Sequence, residues 1–217
     1  MRYGMVIDLG RCVGCQACSL GCKAVNGTPP GVWWCKVFLG EIGKFPTSRR
    51  IMMPLQCMHC QDAPCLDVCP TGATYKRADG IVAVDYDKCM GCRYCETACP
   101  YGARTFLEAV KPYSAEFGFT PFEQLVYPKH QAGVEEKCNF CMERLAKGEQ
   151  PKCVETCIAY ARTFGDLDDP TSEISRIIVA RKGHQLLPEL GTNPSIYYLS
   201  PGGLGTPMQL YPIKVTT

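Results

Sequence analysis

Lys88-Cys89-Met90-Gly91-Cys92-Arg93-Tyr94-Cys95-Glu96-Thr97-Ala98-Cys99-Pro100-Tyr101-Gly102-Ala103 is a C-x2-C-x2-C-x3-C run closed by a proline. Three other stretches are built on the same plan. Cys12, Cys15, Cys18 and Cys22 keep the spacing unchanged. Cys57, Cys60, Cys65 and Cys69 lengthen the middle gap to C-x4-C, and Cys138, Cys141, Cys153 and Cys157 lengthen it to C-x11-C. Sixteen of the 17 cysteines fall in these four blocks. Cys35, after Trp33 and Trp34, stands apart and reads as a buried, small apolar residue.

A cubane [4Fe–4S] cluster offers four irons at tetrahedral corners, each needing one thiolate. Three cysteines three residues apart wrap three corners, and a fourth on a short helix leads away. The first and third blocks follow the bacterial ferredoxin run, in which the fourth cysteine ligates the other cluster of a pair. Four blocks therefore predict four [4Fe–4S] clusters and one-electron transfer. A zinc scaffold is the weaker reading, because a tetrahedral site leaves the third cysteine of each run surplus. A disulfide framework is weaker still, since neighbouring knuckle cysteines rarely meet disulfide geometry.

With 46% apolar residues in 217, part of the core is expected to be inorganic. Folding should then depend on cluster assembly, and the iron-free chain should be largely disordered. The formal charge of +2 counts cysteine as neutral. Four cubes at about −2 each bring the loaded chain to about −6. Arg11, Lys23, Lys88, Arg93, Lys137 and Lys152 flank the blocks and are expected to offset that charge, with a solvated surface position as the alternative for at least half. No basic, aromatic-interleaved stripe points to nucleic acid. No apolar run reaches the roughly 18 residues of a membrane span. A first ligand at Cys12 leaves no room for a signal sequence, so the expectation is a chain exported, if at all, with a partner.

Internal similarity ties the blocks together. Residues 69–73 read CPTGA and 99–103 read CPYGA; residues 99–106 read CPYGARTF and 157–164 read CIAYARTF. Residues 73–77 and 81–85 flank Asp79-Gly80 and predict a hairpin running from the second block into the third. Short helices are expected after Cys18, Cys65, Cys95 and Cys153, with Pro70 and Pro100 ending two of them. The Pro- and aromatic-rich stretch 107–136 reads as an insertion that wraps a cluster or meets a partner, or else as a surface excursion. A helix is predicted over 172–182, followed by a Gly/Pro-rich tether. His59 reads as structural, with tuning of a neighbouring cluster as the alternative. Trp33, Trp34 and Met52-Met53-Pro54 read as packing.

These blocks, with Thr163-Phe164-Gly165-Asp166 and Leu190-Gly191-Thr192-Asn193-Pro194, resemble the four-cluster electron-transfer subunits of molybdopterin oxidoreductases of the dimethyl-sulfoxide-reductase type. Among these, the resemblance is strongest to the subunits of polysulfide, thiosulfate and respiratory arsenate reductases. The resemblance implies an exchange of fourth ligands: Cys12, Cys15 and Cys18 with Cys157; Cys138, Cys141 and Cys153 with Cys22; Cys57, Cys60 and Cys65 with Cys99; Cys89, Cys92 and Cys95 with Cys69. It implies an α+β fold of two tandem bacterial-type ferredoxin-like modules. The outer one comprises residues 1–50 plus 137–170 and the central one 51–106, with the insertion at 107–136 and an extended C-terminal tether at 171–217.

The function implied is a non-catalytic electron relay in anaerobic respiration. It connects a quinol or soluble donor with a molybdenum or tungsten pterin site on another chain. The outer pair of clusters would lie nearer that catalytic subunit, and a quinol-interacting membrane anchor is a further partner. Location on the outer face of the cytoplasmic membrane is expected, with the cytoplasmic face as the alternative. The rival reading is a free-standing soluble multi-cluster ferredoxin.

Overall fold

The computed structural model describes residues 1–200. In chain order its elements are β1 (Tyr3–Asp8), α1 (Ala17–Asn26), β2 (Cys35–Ile42), β3 (Arg49–Gln56), α2 (Pro64–Asp67), β4 (Thr74–Lys76), β5 (Val82–Val84), α3 (Tyr94–Thr97), β6 (Arg104–Leu107), α4 (Pro121–Val126), β7 (Val134–Lys137), α5 (Met142–Leu145), α6 (Lys152–Glu155), β8 (Arg162–Asp166), α7 (Glu173–Ala180) and β9 (Ile196–Leu199). The mixture of short strands and mostly one-turn helices is the α+β composition that the blocks lead one to expect.

Each Ala-Arg-Thr-Phe repeat becomes a strand. β6 pairs antiparallel with β7, and β8 pairs antiparallel with β1 from Tyr3↔Asp166 to Ile7↔Arg162. The β1–β8 pairing brings the fourth block back to the first, across nearly the whole chain. In the middle, β4 and β5 form the hairpin expected around Asp79-Gly80, with Gly80 at φ 82°, where a side chain would be strained.

Thiols and aliphatics share one core. Met5, Ile7, Met53, Met58, Ile81, Phe140, Ile196 and Tyr198 pack in the same cluster as Cys18, Cys22, Cys57, Cys60, Cys65, Cys95, Cys138 and Cys153.

Two expectations differ from the structure. The tether assigned to 171–217 is structured across 171–200: Ser172 caps α7 by accepting from Ser175 N–H, and β9 lies parallel to β1 with Met5↔Ile196. The Gly/Pro-rich segment marks the turn before a strand, and Ile196, Tyr198 and Leu199 are buried there, which an unattached tail would forgo. The rest of that assignment, 201–217, lies outside the described residues. The boundary drawn at 50/51 falls inside β3, which pairs with β2 along its whole length.

The stretch 107–136 also carries its own elements. α4 begins in a capping box, Thr120 accepting from Glu123 N–H and Glu123 accepting from Thr120 N–H. Its end folds over α1: Lys129 donates to the Val25 carbonyl, and His130 Nε2 lies 2.9 Å from the Asn26 carbonyl.

Candidate metal centres

In every block the residue before the second cysteine turns left-handed: Gly14 at φ 68°, His59 at 45°, Gly91 at 72° and Phe140 at 53°. The turn folds the C-x2-C pair into a loop of the kind whose successive amides can cradle an anion. Glycine is needed at position 91, because a Cβ there would meet the Gly133 carbonyl at 2.3 Å. His59 and Phe140 bear the same backbone strain but are buried against each other, ring centroids 3.7 Å apart. The third cysteine of each block lies within a helix: Cys18 in α1, Cys65 in α2, Cys95 in α3 and Cys153 in α6. Cys22 follows within α1, whereas Cys69, Cys99 and Cys157 fall just past their one-turn helices.

The fourth cysteines receive hydrogen bonds from the turn that follows. Thr74 N–H donates to Cys69 Sγ at 3.3 Å and Ala161 N–H to Cys157 Sγ at 3.2 Å, and the Ala103 amide serves Cys99. Where α1 runs on past Cys22, the donor is instead a side chain, Asn26 Nδ2 at 3.4 Å from Cys22 Sγ.

Three small, largely enclosed cavities gather thiols from paired blocks. One is lined by Cys22, Cys138, Cys141 and Cys153, with Cys35 also on its wall. A second is lined by Cys57, Cys60, Cys65 and Cys99, and a third by Cys69, Cys89, Cys92 and Cys95. In the remaining set, Cys12 lies close enough to Cys18 and Cys157 to feel both charges; Cys15 is exposed beside them in sequence. Each of the three cavities thus takes three cysteines from one block and the fourth from its partner block.

The donor set suits a multinuclear cationic core. Burial pushes the Cys153 and Cys95 thiols up to about 11 and Cys60 up to about 12, and neighbouring thiols push the same way. Burial and the adjacent thiols likewise raise Cys22 and Cys138. Four such thiols cannot ionise together unless positive charge sits among them. They stand around cavity walls; among the described residues no group of His, Cys, Asp or Glu is gathered as for a single metal ion.

The four sets also fall into an order. Cys18 influences Cys153, Cys57 influences Cys138, and Cys65 influences Cys95. The sequence is therefore the Cys12 set, the Cys138 set, the Cys57 set and the Cys89 set. Cysteines of the two inner sets are buried apart from half-buried Cys99, whereas Cys15 and Cys92 of the terminal sets are exposed.

Of the six basic residues flanking the blocks, only Lys137 is buried among thiols, at 3% exposure. Lys23 instead ties the 28–32 loop through the Thr28, Pro29 and Val32 carbonyls, and Arg11, Lys88, Arg93 and Lys152 bond surface partners. His59 Nδ1 accepts from Val82 N–H, which anchors its loop. Trp34 is buried, its indole N–H 3.3 Å from Glu136, which also meets His130 Nδ1 at 2.6 Å.

Four residues near the thiols escaped the sequence reading. Arg104 and Arg162 are buried at equivalent places in the Ala-Arg-Thr-Phe repeat, a signal that was in plain view. Asn26 had no motif to mark it. Cys35 is buried as expected but is not merely apolar: its Sγ accepts from Arg162 at 3.3 Å, and it lies beside Cys18, whose thiol Cys35 and the Arg162 guanidinium hold well below its ordinary range.

A family model described as a 4Fe-4S dicluster domain matches residues 49–115 and 108–167, together more than half the chain. The chain is 46% identical, over 92% of its length and 79% of the relative's, to a candidate iron–sulfur subunit of dimethyl sulfoxide reductase from Halobacterium salinarum. It is 46% identical to a selenate reductase subunit of Mesobacillus selenatarsenatis, covering 92% of this chain and 72% of that one. To the arsenate respiratory reductase iron–sulfur subunit of Shewanella sp. strain ANA-3 it is 40% identical, covering 95% and 99%.

Proposed function

This chain belongs to the 4Fe-4S dicluster family and, within it, to the iron–sulfur electron-transfer subunits of dimethyl-sulfoxide-reductase-type molybdopterin enzymes, and from that membership we propose that it carries four [4Fe–4S] clusters in a single file. Their ligands are Cys12, Cys15, Cys18 and Cys157; Cys138, Cys141, Cys153 and Cys22; Cys57, Cys60, Cys65 and Cys99; and Cys89, Cys92, Cys95 and Cys69. The observation that carries the reading is the set of three cavities, each of which brings three cysteines of one block together with the fourth cysteine of its partner block.

When bound, the clusters supply one-electron chemistry. The chain's own residues do the rest. Left-handed turns and short helices hold each thiol at a wall of its site, amides and Asn26 donate to the fourth sulfurs, and the shared apolar core keeps water from the inner sites. Both ends of the file expose apolar side chains: Val13, Leu20, Ile158 and Tyr160 near the first set, Met90 and Tyr94 near the last. Exposed apolar residues at both ends suit a chain docked between two redox partners.

One partner is a molybdopterin catalytic subunit, which we place at the Cys12 end. The other is a quinol-oxidising membrane anchor or a soluble donor at the Cys89 end. No helix among the described residues is long and apolar enough to cross a membrane. Export to the outer face of the cytoplasmic membrane with the catalytic partner is part of the same proposal, and protease accessibility in spheroplasts tests it.

The central experiment is iron and sulfide analysis of the complex purified through its large subunit. Four clusters require about sixteen of each per chain. A chain that native mass spectrometry finds alone and fully loaded would instead be a diffusible carrier.

A further inference from the structure

The reading CPYGARTF at 99–106 and CIAYARTF at 157–164 puts Arg104 and Arg162 at equivalent places in the two modules. Both are buried, at 4% and 5% exposure. Each reaches the third cysteine of both blocks in its module. Arg162 Nη1 lies 3.7 Å from Cys153 Sγ, and the charge of the same guanidinium acts on Cys18. Arg104 lines the cavity of Cys57, Cys60, Cys65 and Cys99, where its charge acts on Cys65, and it acts on Cys95 as well. Each arginine therefore sits in the gap between the two sites of its module.

The gap between modules holds a cation as well. Lys137, 3% exposed, donates to the Cys138 carbonyl at 3.0 Å and to the Val82 carbonyl, and it lines the cavity of Cys57, Cys60, Cys65 and Cys99. Along the file, four thiol sets alternate with three buried cations.

Among the described residues, none of the three makes an ion pair with a carboxylate. Arg162 bonds neutral Gln56 Oε1 and the sulfurs of Met5 and Cys35; Arg104 bonds Thr74 Oγ1, and its buried Nη1 has no hydrogen-bond partner. Glu135 is close enough for its charge to act on Arg104, but its carboxylate oxygens have no hydrogen-bond partner and it makes no ion pair with the arginine. A buried cation without an anion is strongly unfavourable. Thiolate-ligated cubes at about −2 each are the anions that fit.

We propose that Arg162, Lys137 and Arg104 are charge spacers, one in each gap between successive [4Fe–4S] sites, which raise the reduction potentials of the clusters on either side. The proposal rests on the reading of sixteen cysteines as ligands to four clusters. Reduction adds negative charge to a cluster, so a fixed neighbouring cation favours the reduced form. The same cation lessens repulsion when two adjacent clusters are both reduced, which keeps the file conducting.

The test is an EPR-monitored redox titration of the assembled, cluster-loaded complex carrying Arg104→Gln, Arg162→Gln or Lys137→Gln, beside Arg104→Lys and Arg162→Lys. Arg104→Gln should lower two of the four potentials, and Arg162→Gln the other two. For each affected cluster the reduced-to-oxidised ratio at fixed ambient potential should fall about tenfold, or about 59 mV for one electron. Lys137→Gln should lower one potential from each pair. The lysine variants should keep potentials close to wild type, which a merely structural role would not require.

Unmoved potentials in glutamine variants with full iron content would overturn the proposal. So would lysine variants that fall as far as glutamine ones. Where a glutamine variant does not assemble, lysine must restore both iron content and potentials, and its failure counts against the spacer role. Wild-type protein short of about sixteen irons would sink the four-cluster reading itself, a distinct result.

Discussion

The inner and terminal sites are made from the same cysteine block, yet they differ at the residue before the second cysteine. The terminal sites use Gly14 and Gly91; the inner ones use Phe140 and His59, stacked on each other between the Cys138 and Cys57 sets. Glycine makes the left-handed turn without strain and leaves the site open. A buried ring accepts strain at the turn and seals the joint between modules. On the proposed reading, the sites that exchange electrons with partners are thus built to be approached, and the two between them to be insulated.

Removing ligands should break that contrast most visibly. Cys141→Ala strips a largely enclosed site whose other thiols, Cys22, Cys138 and Cys153, belong to the common core. Loss of more than one cluster and collapse to a protease-sensitive chain is expected, because folding and cluster assembly are one process there. Cys92→Ala, at an exposed terminal position, should cost the Cys89 site alone and leave a folded chain with about three-quarters of its iron. Iron content with limited proteolysis reads both. Equal losses would show that all four sites fold as one unit.

The joint itself is the next target. Phe140 is 1% exposed and touches both His59 and Phe164. Phe140→Ala should cost about 3 kcal/mol or more in the loaded protein, measured as denaturant resistance. Phe140→Gly relieves the left-handed strain at φ 53° yet should be no better, since packing outweighs about 1 kcal/mol of backbone preference. Recovery by glycine would mean that strain, not packing, dominates at the inner sites.

Thr120→Ala probes the segment folded over the first block. It removes one half of the capping box that starts α4 and should cost about 1 kcal/mol. The loss should stay local: hydrogen exchange should quicken over 121–126 while the inner sites keep their protection.

The cysteine spacing made the clusters legible because a cube demands four ligands at fixed reach, and Asp79-Gly80 made the central hairpin legible because few other dipeptides turn that way. The remainder depended on contacts remote in sequence. β9 pairs with β1 across nearly the whole described chain, so its apolar Ile196–Leu199 run looked like part of a tail. Ala-Arg-Thr-Phe was visible as a repeat, but burial of its arginine follows only from β6 and β8 lying against the thiols. The left-handed phenylalanine at position 140 violates a local rule, which only its stacking partner in another block explains.

Cys35 is the subtlest asymmetry, because it gives the Cys12 site a donor that sequence alone does not reveal. Its thiol lies beside Cys18, where it can donate, and a donor to a ligand sulfur favours the reduced cluster by withdrawing charge. Cys35→Ala should therefore lower the Cys12-site potential by on the order of tens of millivolts, the scale of a single hydrogen bond to a charged group. Cys35→Ser keeps a donor and should recover most of the shift. Cys35 also touches Arg162, so the alanine variant must be titrated in both wild-type and Arg162→Gln backgrounds. Additive shifts make Cys35 an independent donor; a shift that vanishes with the arginine makes it a positioning contact for the guanidinium.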